Sequence, residues 1–248
     1  MNSCRLIIDT PATGSWNMAV DQALMVTTDT SAQSTLRLYS WTPHTLSLGY
    51  FQKHDNRQSH RESLACNWVR RSTGGGAILH HHELTYSLCV PSKSRWSKKN
   101  SELYDVIHHA TIDALRHWNI EANLYQNSQS RASNNSNPFL CFQRRTPGDV
   151  ILQSFKIGGS AQRRTRNALL QHGSILFAKS VHAPQLPGIN DLAGCQVNQQ
   201  DFTEAWIESV NERLQFNLSP EQLSEKERLA AQQIEANRFS ADSWNKKR

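Results

Sequence analysis

Apolar residues in this chain alternate with polar ones over short runs, and the alternation is interrupted by a few longer stretches with helical spacing. Period-two patterns predict strands at 5–9, 35–39, 45–51, 68–71, 84–90, 119–125 and 168–177, and a hairpin-like pair at 149–155 and 156–162. Leu84, Tyr86, Leu88 and Val90 alternating with Thr85, Ser87 and Cys89 form the clearest of these. Helical spacing of Met18, Ala19, Ala23, Leu24 and Met25 predicts a helix starting at Ser15, a plausible N-cap. Asp21 falls within it and reads as a solvated or capping carboxylate. A second helix, capped by Ser101, would bury Leu103, Ile107, Ala110, Ala114 and Trp118 and expose His108, His109 and Arg116. The box Asp201-Phe202-Thr203-Glu204 opens a third helix, and Ser219-Pro220-Glu221-Gln222 a fourth that runs to about Phe239. A short helix is possible in 53–66, and Trp41-Thr42-Pro43-His44 makes a turn. Many strands with few long helices describe an α+β fold, a mixed sheet backed by helices. The chain is expected to form a single domain over 1–248, with a polar, aperiodic, mobile loop at 126–138 and a C-terminal helix and tail at 219–248.

Composition narrows the class. At 248 residues and 38% apolar content the chain can bury a core without disulfides or metals. The five cysteines (Cys4, Cys66, Cys89, Cys141, Cys195) are odd in number and widely spaced, which speaks against a disulfide framework, and no Cys-x-x-Cys pair suggests zinc. No stretch approaches the roughly 20 apolar residues of a membrane helix, and no secretory signal opens the chain, so a cytoplasmic protein is expected. Basic residues outnumber acidic ones, 27 to 21, for a net charge of +6. That favours an acidic partner or reflects a solvated surface. No nucleic-acid motif is present, so no nucleic acid is expected as partner, and no membrane.

Candidate chemistry concentrates in four places. In Arg70-Arg71-Ser72-Thr73-Gly74-Gly75-Gly76-Ala77, three adjacent glycines are costly to order, which suits close approach of backbone to a ligand, although glycine runs also serve as surface turns. Cys141, between Leu140 and Phe142 and near Arg144 and Arg145, is a possible nucleophile or a small buried hydrophobe. Lys156, followed by Gly158-Gly159-Ser160-Ala161, is a cation aimed into a pocket or an exposed strand lysine. His172-Gly173, among leucines and isoleucine, offers a base or a packing residue. His80, His81 and His82 resemble a metal cluster, but neighbours on a strand face opposite sides, and no metal is expected.

Taken together, these blocks carry a family resemblance. Arg70 to His80, Glu83-Leu84-Thr85-Tyr86-Ser87, Lys156 to Arg164 and Leu170-Gln171-His172-Gly173-Ser174-Ile175-Leu176, in that order, resemble the biotin/lipoate protein ligase and octanoyltransferase superfamily, with support from Asn17 to Leu24 and Leu46 to Gln52. The resemblance implies a class II aminoacyl-tRNA synthetase/biotin ligase-like mixed β-sheet, with helices on one side. Leu140-Cys141-Phe142, shortly before the lysine block, resembles the cysteine-dependent octanoyltransferases of Gram-positive type; Cys195 is a weaker candidate nucleophile. Implied are an octanoyl-acyl carrier protein donor, a lysine of a lipoyl domain or glycine cleavage H protein as acceptor, and no cofactor. Cys141 and Lys156 would be catalytic. Substrate would be held by Arg70, Arg71, Thr73, Gly74, Gly75, Gly76, Ala77 and His80, and by Gly158, Gly159, Ser160, Ala161, His172 and Gly173. The alternatives are an ATP-dependent lipoate or octanoate ligase, and a non-catalytic carrier-binding protein.

Overall fold

The computed structural model describes residues 2–97, 101–126 and 138–248. The mobile loop expected at 126–138 lies, apart from its two end residues, outside the described residues. In chain order the first half comprises β1 (Asn2–Ile8), α1 (Gly14–Ser31), β2 (Ser34–Tyr39), β3 (Thr45–Leu48), β4 (Asn67–Arg70), β5 (Ile78–His80), β6 (Glu83–Pro91), α2 (Glu102–Arg116) and β7 (Ala122–Leu124). The second half comprises β8 (Val150–Leu152), β9 (Phe155–Arg164), β10 (Ala168–Leu176), α3 (Ile189–Leu192), α4 (Gln199–Leu214), β11 (Phe216–Pro220), α5 (Glu225–Ile234) and α6 (Asp242–Asn245).

Eight strands form one mixed sheet in the order β11-β1-β2-β6-β10-β9-β8-β7, and β4-β3-β5 form a second, small one. β1 runs parallel to both β2 and β11, while β6, β10 and β9 are antiparallel neighbours. The α+β class is as the sequence predicts, but the helices do not keep to one side. Leu84, Tyr86, Leu88 and Val90 of β6 pack with residues of α2 and α4, such as Ile107 and Trp206. Cys89, on the opposite side of β6, packs with Met18, Leu24 and Met25 of α1 and with Ala231 of α5. Strand alternation therefore gives two buried faces, and helices cover both.

Several helix starts differ from expectation. The α1 cap is Thr13, whose side chain accepts from the Trp16 N–H, while Ser15 donates to Glu235 instead. Ser101 makes no side-chain cap bond. Asn198, rather than Asp201, caps α4 by accepting from Gln200 and Asp201 N–H groups. Ser219 and Pro220 end β11, and the capping box is Ser224 with Glu227. β11 is an edge strand, where a proline without an N–H is tolerated. Helical winding continues past α5 as a π-helical turn, Glu235–Phe239.

Candidate active site

The glycine loop connects β4 to β5 and so hangs from the small sheet over β9 and β10 of the large one. A cavity of about 500 Å³, its mouth included, opens between them. Its walls draw on Met18 of α1, Tyr39 at the end of β2, Trp41 beyond it, and Ser174 of β10. From the glycine block, Arg71, Gly74, Gly75 and His80 line it. Gly159, Ser160, Ala161, His172 and Gly173 contribute from β9 and β10. Cys141 and Lys156 both face this one cavity although 15 positions separate them in the chain.

Cys141 opens a short 3₁₀ turn, Cys141–Gln143, and is half-buried. Its position is fixed by the glycine loop. Ala77 N–H donates to the Phe139 carbonyl (2.9 Å), and Cys141 N–H to the Ala77 carbonyl (2.7 Å). This pairing needs a glycine beside it: a Cβ on Gly76 would lie 2.9 Å from the Cys141 nitrogen. Gly75 takes a φ of +93°, which disfavours any side chain there. Cys4, Cys66 and Cys89 are buried, with burial raising each thiol, and Cys195 is exposed and does not line the cavity.

Lys156 is nearly buried. Its ammonium lies 2.8 Å from Asp149 Oδ2 and 5.4 Å from the Phe142 ring centroid. Asp149, which sequence reasoning missed, also accepts from Tyr104 Oη (2.6 Å) and from the Thr146 N–H (2.7 Å). Arg71 also lines the cavity and, among the described residues, pairs with no carboxylate. It donates to the Ser47 carbonyl and to the carbonyls of Gly74 and Gly76 (both 2.7 Å), and its Nε is buried without a partner. Burial lowers its guanidinium to about 10, with Cys141 acting in the opposite sense.

The other expected site residues play different parts. Arg70 does not line the cavity; it is fully buried and donates to the carbonyls of Gly49, Gln52 and Asn245, which braces the chain end against the loop. Thr73 stands behind the wall, its hydroxyl 2.6 Å from His172 Nε2. Ala77 and Gly76 position Cys141 through backbone, and Gly158 packs on Val150. His80 is held between Glu83 and the Ser47 hydroxyl (2.8 Å) and stacks on Trp41; burial lowers its imidazole, with Glu83 opposing. His81 and His82 stack at 3.5 Å between ring centroids instead of facing opposite sides, because the chain bends where β5 ends. Among the described residues, no three His, Cys, Asp or Glu groups are arranged to hold a metal.

Two further residues depart from the sequence reading. Asp21 is not solvated: it is buried beneath the cavity, accepting from Arg37 (2.8 Å), Tyr39 (2.9 Å) and Ser87 (2.8 Å), with His172 Nδ1 at 3.3 Å. Burial pushes its carboxyl up, but His172, Arg37 and Ser87 together hold it below the ordinary carboxylate value. The order Thr73–His172–Asp21 is that of a hydrolytic triad, yet the Thr73 hydroxyl does not reach the cavity, so the chain of bonds orients the His172 ring. His108, expected on an exposed face, is buried, with Nδ1 donating to the Gly148 carbonyl (2.6 Å) and Nε2 2.6 Å from the Ser160 hydroxyl.

A half-buried thiol, a lysine paired with Asp149 and glycine-rich backbone meet at this largely apolar cavity, groups that acyl-transfer chemistry can use. Residues 13–226 match the family described as lipoyl protein ligase A/B catalytic domain. The chain is 33% identical to an octanoyltransferase LipM of Kyrpidia tusciae, over 99% of each chain, and 28% identical to those of Brevibacillus brevis and Bacillus subtilis. Among solved structures, Ta0514 of T. acidophilum superposes with a TM-score of 0.82 at 20% identity over the whole of both chains. A lipoate-protein ligase A bound with ATP gives 0.81 over 99% of each, also at 20% identity. The fold is thus shared with both. The chain belongs to the lipoyl protein ligase A/B catalytic-domain family and is an acyltransferase of its LipM-like branch.

Proposed function

We propose that the protein transfers an octanoyl group from octanoyl-acyl carrier protein to a lysine of a lipoyl domain or glycine cleavage H protein, through a thioester on Cys141. The observation that carries this reading is the placement of the Cys141 thiol in one cavity with Lys156 and an unneutralised Arg71. In the first half-reaction the Cys141 thiolate attacks the carbonyl carbon of the donor thioester. The new C–S bond forms, the carrier thiolate leaves, and it takes a proton from the Lys156 ammonium. In the second, the neutral amine of the acceptor lysine attacks the acyl-Cys141 carbonyl. Lys156, now an amine, receives the proton that this nitrogen loses, and the Cys141 thiolate is released. Asp149, 2.8 Å away, holds the lysine in place.

The carbonyl oxygen gains negative charge in both steps. The N–H groups of Gly75 and Gly76 make no backbone hydrogen bond among the described residues and stand on the loop that fixes Cys141. They are the proposed oxyanion donors. Met18, Trp41, Ile78 and Phe142 supply the apolar walls for the eight-carbon chain, each buried methylene of which contributes about 0.8 kcal/mol. No step consumes ATP. The reading is tested by supplying octanoyl-acyl carrier protein and an apo lipoyl domain with and without ATP. Octanoylation of the domain at the same rate in both is expected; octanoylation only with ATP and free octanoate would assign a ligase instead.

A further inference from the structure

Beside the cavity mouth lies an unusual concentration of positive charge. Lys247 Nζ sits 3.3 Å from the Tyr50 ring centroid and 3.5 Å from that of Trp244. The guanidinium of Arg248 lies 5.3 Å from the Phe51 ring, and that of Arg238 3.5 Å from Trp244. Arg163 donates to the Ser72 carbonyl at the root of the glycine loop. Among the described residues, none of Lys53, Arg144, Arg163, Arg238, Lys247 and Arg248 forms an ion pair with a carboxylate. Burial lowers Arg238 and Lys247, with Arg163 adding to the first shift and Arg70 and Arg238 to the second. Phe51, 68% exposed, stands among them.

This rim leads inward. A groove of about 1100 Å³ of open space runs past Phe51, Gln52, Lys53, Phe139 and Arg144 to Gly75. Gly75 also lines the acyl cavity, and a Cβ placed there would be 3.8 Å from Cys141 Sγ. The groove therefore connects the cationic rim to the nucleophile.

We propose that the rim formed by Lys53, Arg163, Lys247 and Arg248 is the docking surface for the acidic carrier protein that delivers the acyl group, and that the groove receives its phosphodiester-linked arm. The inference rests on the transferase reading above. The charges select the donor over the acceptor. A donor arrives with an acidic surface and an anionic arm, which Lys53 and Arg144 complement along the groove. An acceptor must instead bring a lysine side chain to Cys141, and a groove lined by cations opposes its charge. Phe51 supplies an aromatic anchor of the sort interfaces favour.

The test measures the rate at which Cys141 is acylated, by intact mass of quenched samples, in the wild type and in Lys53→Glu/Lys247→Glu. Two donors are compared, octanoyl-acyl carrier protein and the uncharged octanoyl N-acetylcysteamine thioester. At low salt the variant is expected to load from the carrier about tenfold more slowly, while loading from the small thioester changes less than about twofold. High salt should slow carrier loading of the wild type and narrow the gap. Equal losses with both donors, or no loss with the carrier, would overturn the proposal. So would a variant that loads normally but fails to pass the acyl group on, which would assign the surface to the acceptor. A wild type loaded by neither donor would remove the transferase reading itself, and this surface with it.

Discussion

Two cations share the cavity with Cys141, but their charges are not equally available. Lys156 is paired at 2.8 Å with Asp149, whereas Arg71 is buried against neutral oxygens among the described residues, three carbonyls and the Ser47 hydroxyl. A buried charge without a counter-ion is costly. A thiolate at Cys141 would offset part of that cost, and in the proposed mechanism Arg71 would pair with the nucleophile while Lys156 would move the proton. Arg71→Met is expected to slow alkylation of Cys141 by iodoacetamide at pH 7 about tenfold, with Arg71→Lys recovering part of the rate. An unchanged rate in a folded Arg71→Met protein would leave Lys156 as the activating charge. Cys141, Lys156 and the glycine block were legible from the sequence as candidates. Asp149 and the burial of Asp21 were not, because each depends on a partner brought close only by the fold: Lys156 across the β8–β9 pair, Arg37 from a neighbouring strand.

At the level of elements, α2 shows what periodicity can and cannot supply. Leu103, Ile107, Ala110 and Ala114 are buried as their spacing predicts, yet His108 on the same helix is buried too. It lies one turn after Tyr104, and its polar ends are satisfied by Gly148 and Ser160, neither of which the helix sequence reveals. The consequence is a pH dependence of stability. Burial lowers the His108 imidazole from 6.5 to about 4. Below pH 6.5 the unfolded chain therefore takes up a proton that the folded one refuses, and stability falls as pH falls until about pH 4. His81, also lowered to about 4, acts in the same direction. Between pH 7 and pH 5 the His108 contribution is roughly 2 kcal/mol. Denaturant titrations at those two pH values should show a drop in stability of at least this order in the wild type, and a smaller drop in His108→Gln. Equal drops in both would show that His108 is not the source. Capping signals were a weaker guide than burial patterns: Ser219-Pro220 and Ser224 with Glu227 both look like helix starts, and only the edge position of β11 decides between them.

On the scale of the molecule, the large sheet joins both ends of the chain, since β1 pairs with β2 on one side and with β11 on the other. Most strands and the α+β class follow from alternation, but β5, β11, this order and the helices on both faces required the structure. So did the placing of the small sheet, whose glycine loop closes the cavity over β9 and β10. In this arrangement Cys141 on one segment, Lys156 on another and the glycine loop on a third converge on one cavity, as the proposed transfer requires. The central claim is the acyl-enzyme, and its direct test is the intact mass of the protein after incubation with octanoyl-acyl carrier protein in the absence of ATP. The expected result is one octanoyl adduct, removed by hydroxylamine and missing from Cys141→Ser. An unmodified wild-type protein, or an adduct that persists in Cys141→Ser, would contradict the account.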